Sequence, residues 1–162
     1  ERMPDGGWNC RKHRRPFPHH SSFHTTLNVL DGLREDIEHG GPQAEEAQTA
    51  EASALELLAQ HKLFRSDHTG NIIRPEFTRF AFPPRWHYDA FRALDYFARA
   101  NAASDPRLGE AIDLLRQKRH ADGRWQIAYK YSGRVFFDME KGGVQSRWNT
   151  LRALRILRWW GD

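Results

Sequence analysis

Three polar trios share one spacing, and the spacing decides what they can reach. His24, Asn28 and Asp31, then Tyr88, Arg92 and Asp95, then Trp148, Arg152 and Arg155 each stand at i, i+4 and i+7, so each trio lines one face of a helix. Guanidinium groups at Arg92, Arg152 and Arg155, set beside carboxylates, suit an anionic head group such as a diphosphate, because their forked donors meet phosphate oxygens in pairs. Two readings stay open: the stripe lines a cavity, or it faces solvent and makes ion pairs between neighbouring repeats. A second chemical candidate is Asp138-Met139-Glu140. Its two carboxylates would share a proton if buried, as a general acid requires; exposed on a loop they are ordinary solvated charges.

The helices that carry the trios repeat. Leu27-Asn28-Val29-Leu30, Phe91-Arg92-Ala93-Leu94 and Leu151-Arg152-Ala153-Leu154 align without a gap, with 64 residues from Leu27 to Phe91 and 60 from Phe91 to Leu151. Each copy follows a loop ending near an aromatic residue, Phe23, Trp86 or Trp148, and the outer two follow matching turns, Asp5-Gly6-Gly7-Trp8 and Asp122-Gly123-Arg124-Trp125. A period of this length predicts an all-α array of helical hairpins spanning 1–162 as one repeat domain.

Ser21-Ser22 supplies caps for a first helix that ends before His39-Gly40-Gly41-Pro42. The apolar spacing predicts a second helix from Gln48 to Phe64, a third from about Trp86 to Asn101, and a fourth from the Asp105-Pro106 start to about Arg119. The fifth runs from Ser146 to about Trp160 and stops at Gly161. Two long ordered loops separate them, Arg65 to Arg85 and His120 to Gln145, the second with strand character at Val135-Phe136-Phe137. Asp89, in register with Thr25 and Asn149, is placed to stabilise the start of its helix. The fifth helix lacks a hairpin partner, which implies closure against a preceding half of a longer chain or by self-association.

Composition bounds the rest. The 162 residues are 39% hydrophobic, enough for a sizeable core, and no apolar run reaches the ~20 residues of a membrane-spanning helix. A single cysteine, Cys10, forms no internal disulfide, and a reducing cytoplasm is the expected setting. Net charge is +4, with a cluster from Arg11 to Arg15 and another in the last helix. No nucleic-acid reading module accompanies these charges, so nucleic acid is not an expected partner.

The Asp-Gly-x-Trp turns, the helix starts Phe23-His24-Thr25-Thr26 and Trp86-His87-Tyr88-Asp89, and the repeat length resemble the terpenoid cyclase and protein prenyltransferase superfamily of α/α toroids. The run from His24 to Leu33 is similar to bacterial prenyltransferase-like or squalene cyclase-like proteins. The resemblance covers essentially the whole chain and implies inner helices around a cavity, with this chain as the C-terminal half. It also implies an isoprenoid or other amphiphilic anionic ligand bound in the ring, with the three trios as ligand-binding residues. One departure stands in the turn: Arg119 occupies the place of the family's glutamine ahead of Gly123.

The same resemblance frames the chemistry. Cyclases protonate substrate with an Asp-x-Asp-Asp acid, which is absent here, leaving Asp138 and Glu140 as the nearest approximation. Prenyltransferases hold zinc with one Asp, one Cys and one His, and Asp5, Cys10 and His24 are the corresponding types in order. A gap-free match places Thr25 at the histidine's position, with His13, His19, His20 and His87 as substitutes. Trp86, Trp125, Phe136, Trp148, Trp159 and Trp160 are the aromatics that would shield a carbocation or fill the core. Two other function classes are carried forward: a non-catalytic scaffold or protein-interaction toroid, and a sugar-acting toroid with Asp138 or Glu140 as acid.

Overall fold

A computed structural model describes all residues, 1–162, as five α-helices with little strand. The chain forms two compact units, Glu1–His61 and Lys62–Asp162. No helix is long and apolar enough to cross a membrane.

The first unit is a helical hairpin behind an N-terminal turn. Helix α1 (Phe23–Glu38) starts at Ser22, whose hydroxyl accepts the Thr25 N–H, and α2 (Ala44–Gln60) packs against it through Leu27, Leu30, Ala54, Leu57 and Leu58. Arg34 of α1 meets Glu51 of α2 at 3.5 Å between two largely enclosed side chains. Helix α2 begins four residues before the predicted Gln48, because Glu45 and Glu46 favour a helix N-terminus. It also ends before the predicted Phe64: Lys62 and Leu63 turn left-handed, at φ of 45° and 67°, without a glycine or proline to announce the break.

The turn before α1 is locked from two sides. Gly6 has φ of 102°, and a Cβ there would lie 2.7 Å from Ser53 Oγ and 2.9 Å from the Ser53 carbonyl oxygen, so only glycine fits. The Trp8 backbone N–H then donates to Thr26 Oγ1 at 3.0 Å, inside the first turn of α1.

The second unit holds α3 (Ala90–Arg99), α4 (Gly109–Gln117) and α5 (Arg147–Trp160), with α3 packed on both of the others. Phe91, Leu94, Phe97, Leu108, Ile112, Leu115 and Ile156 fill its core. Helix α3 begins near the end of the expected first turn, at Ala90 rather than Trp86. Pro84 to His87 form a tight turn, and Asp89 rather than an earlier residue is the cap, accepting the Arg92 N–H at 2.7 Å. Helix α4 is entered through a short 3₁₀ turn, Pro106–Leu108, capped by Asp105. Helix α5 starts at its cap Ser146 and stops at Gly161, whose φ of 105° is the left-handed termination that glycine permits.

The expected strand at 135–137 is not present. The only ladder is a two-residue pair, β1 (Trp125–Gln126) with β2 (Gln145–Ser146), antiparallel with Trp125 opposite Ser146. Val135, Phe136 and Phe137 instead sit exposed in the loop between them, with no neighbouring strand to pair with. β-branched and aromatic residues favour a pleated surface only where another surface covers them.

Candidate functional site

The second Asp-Gly-x-Trp turn is built like the first. Gly123 has φ of 81°, the Trp125 N–H donates to Thr150 Oγ1 at 3.1 Å, and Thr150 is the fourth residue of α5 just as Thr26 is the fourth of α1. The buried Trp125 indole N–H reaches the Leu115 carbonyl at 2.7 Å, anchoring the turn across the end of α4. Arg119, standing where the resemblance would place a glutamine, donates to the Gly123 carbonyl and lays its guanidinium 5.3 Å from the Trp125 ring. Arginine thus supplies both a hydrogen bond and a stacked cation to the turn.

Turns and caps place the polar trios, and the trios meet different fates. In the second, Tyr88 is fully buried and its hydroxyl donates to the Leu63 carbonyl at 2.6 Å, which commits that polar group to the core. Arg92 is half-buried and donates to the His87 carbonyl at 3.0 Å. Asp95 is buried and accepts Arg152 and Arg155 of α5, each at 3.2 Å, with Arg99 at 3.8 Å. Arg152 is buried as well, its guanidinium lying 4.4 Å from the Phe91 ring centroid and 3.5 Å from Asn149 Oδ1.

The structure therefore brings Asp95, Arg152 and Arg155 together as a fastener between α3 and α5. Trp148 points elsewhere, stacked on Phe82 and partly exposed. In the first unit, the Asn28 amide donates to the His24 carbonyl of its own helix, and Asp31 lies three residues further on at a half-buried position.

Asp89 is the most enclosed carboxylate of the second unit. Besides the Arg92 N–H it accepts the Ala81 N–H at 2.9 Å, so one side chain caps α3 and pins the preceding loop. Burial pushes its pKa up, opposed by Arg152 and by the two backbone donors.

The two loop carboxylates are also occupied. Asp138 pairs with Lys130. The Glu140 side chain is only 8% exposed; it accepts the Ser146 hydroxyl and the Arg147 N–H, the latter at 2.8 Å, and so caps the start of α5. Neither carboxylate is bonded to the other, so the shared proton of a dyad has no counterpart here.

The residues named for zinc do not gather. Asp5 spends its carboxylate on the Ser21 N–H and hydroxyl, Cys10 is exposed, and its backbone N–H donates to Thr25 Oγ1 at 3.5 Å. No three His, Cys, Asp or Glu side chains converge on a metal-sized centre.

A cavity that the trios did not point to lies in the second unit. It measures about 290 Å³ and is walled by Pro83, Arg85, Lys130, Tyr131 and the loop from Arg134 to Met139. Arg85 is held in place by donating to the Ser132 carbonyl at 3.0 Å, and Arg134 has no ion-pair partner. Tyr131 forms the aromatic wall, its ring 3.6 Å from that of His87, which in turn lies 3.8 Å from Trp86. Burial, then the charge of Asp89, pushes the Tyr131 hydroxyl up to about 12, so it stays a neutral donor. The sequence signal for this site was the juxtaposition of Arg134 with Val135-Phe136-Phe137, which reads as a strand when taken alone.

Comparison with family models, curated proteins and solved structures finds no match to this chain.

Proposed function

We propose that the chain is part of an α/α-toroid-type repeat domain that binds an anionic amphiphile, with an isoprenoid diphosphate as the representative ligand. One observation carries this reading: a single cavity of about 290 Å³ joins the cations Arg85, Lys130 and Arg134 to an apolar wall of Val135, Phe136, Phe137 and Met139. Its volume lies near the lower end for small-molecule sites, which range from ~300 to ~1,000 Å³, and suits a head group with a short hydrocarbon segment. Asp138 offsets one positive charge by pairing with Lys130 and leaves Arg85 and Arg134 for the ligand. The matching Trp8–Thr26 and Trp125–Thr150 hydrogen bonds support the repeat architecture. In this reading Arg92, Arg152 and Arg155 hold the frame, and the head group is met at the loop.

Binding of geranyl diphosphate, geraniol and inorganic diphosphate, followed by calorimetry, tests the proposal. Expected is measurable affinity for geranyl diphosphate, weaker affinity for either half alone, and about a tenfold loss on Arg134→Glu, the size expected for reversing a rim charge. Equal affinity of Arg134→Glu and the parent protein overturns it.

A further inference from the structure

We infer that the second unit docks on an anionic lipid bilayer surface, through the tip of its second long loop and the outward face of α5. Twelve large hydrophobic residues are exposed in the chain, and eight of them fall between Val135 and Leu154. Such concentration in one short stretch marks an interaction surface, where scattered apolar residues would need no explanation. Phe136 is wholly exposed and Phe137 is 74% exposed.

Phe82 and Pro83 link the two parts. Trp148 of α5 stacks on Phe82, and the adjacent Pro83 shares the cavity wall with Phe136 and Phe137. On α5 itself Trp148, Leu151 and Leu154 recur every third residue and alternate around the exposed face with Arg147, Arg155 and Arg158. Helix α5 contains no acidic residue.

Charge selects the occupant. Residues 134–158 hold six basic and two acidic side chains; Asp138 pairs with Lys130 and Glu140 with Arg147, while Arg152 and Arg155 close on Asp95. Arg134, Lys141 and Arg158 are left without an acidic partner. Basic side chains are attracted to an anionic leaflet, and aromatic side chains favour the interfacial layer. An irregular tip with two adjacent exposed phenylalanines matches a deformable lipid interface better than the shaped surface of a folded partner. No helix is long and apolar enough to cross a membrane, and the proposed contact is with the bilayer surface.

The inference goes beyond the ligand reading: it shares Arg134, Phe136 and Phe137 with the proposed cavity and adds the exposed face of α5. It is tested by co-sedimentation of the full chain with phosphatidylcholine vesicles, with and without about one third phosphatidylserine. Expected is binding to the anionic vesicles, little to phosphatidylcholine alone, and weakening at high salt. Combined Phe136→Glu and Phe137→Glu should weaken vesicle binding about tenfold or more with no change in melting temperature, since both side chains are exposed. Leu151→Glu lies outside the cavity and should weaken vesicle binding while leaving geranyl diphosphate affinity unchanged, which separates the two readings. Failure of the parent protein to bind anionic vesicles, equal binding to neutral ones, or binding that survives both variants overturns the inference.

Discussion

Trp125 and Thr150 are joined by a backbone-to-hydroxyl hydrogen bond of 3.1 Å, and the pair Trp8 and Thr26 repeats it at 3.0 Å in the other unit. In both places a glycine turn delivers its tryptophan to the fourth residue of the following helix. Replacing Thr26 or Thr150 with valine keeps shape and removes the acceptor. Each change should cost about 1–2 kcal/mol in urea unfolding, because the tryptophan N–H is left without its partner. No loss at either position would mean that the shared turn does not bear on stability.

Asp95 is the anion on which Arg152 and Arg155 both close. Asp95→Ala leaves Arg152 enclosed without its carboxylate and should destabilise the protein by about 3–5 kcal/mol. Pairing that change with Arg152→Met should restore much of the loss, since a buried apolar side chain carries no uncompensated charge. The double-mutant cycle in denaturant reads the coupling directly.

His87 gives a pH signature. Burial between Trp86 and Tyr131, then the charges of Arg85 and Arg92, holds its pKa below the ordinary 6.5, so the fold prefers the neutral ring. The unfolded chain takes up the proton first. Stability should be fully present above about pH 6.5, decline as the pH falls below it, and level off once the lowered folded-state value is passed. His87→Phe retains the stacked ring and should flatten that decline in melting temperature between about pH 7 and 5.

Glu140 distinguishes a cap from an acid catalyst. As a cap it should lose about 1 kcal/mol of stability on mutation to alanine, with less loss for glutamine, which keeps an acceptor for the Arg147 N–H. Thermal unfolding of the two variants checks the order. Equal stability of Glu140→Ala and the parent protein would exclude the capping role.

Helix types and most boundaries were legible because they rest on local chemistry. Ser22, Ser146, Asp105-Pro106 and Gly161 act where the sequence places them, and all five helices form. The failures occur where distant groups decide. Nothing local marks the left-handed break at Lys62 and Leu63, and Val135 to Phe137 have strand composition but no pairing neighbour. The i, i+4, i+7 spacing placed Arg152 and Arg155 on one helix correctly. It carried no information on Asp95 as their common partner, because that contact spans 57 to 60 residues of chain. The cavity beside Arg134 was missed for the same reason: Pro83 and Arg85 reach it from the other long loop.

Glu140 sits at the joint between the exposed phenylalanines and α5, gripping the first residues of that helix. Glu140 is bonded to the start of α5, and further along that helix Arg152 is bonded to Asp95 of α3. The loop and α3 are thus both fastened to the same helix, one at its first residues and the other midway along it.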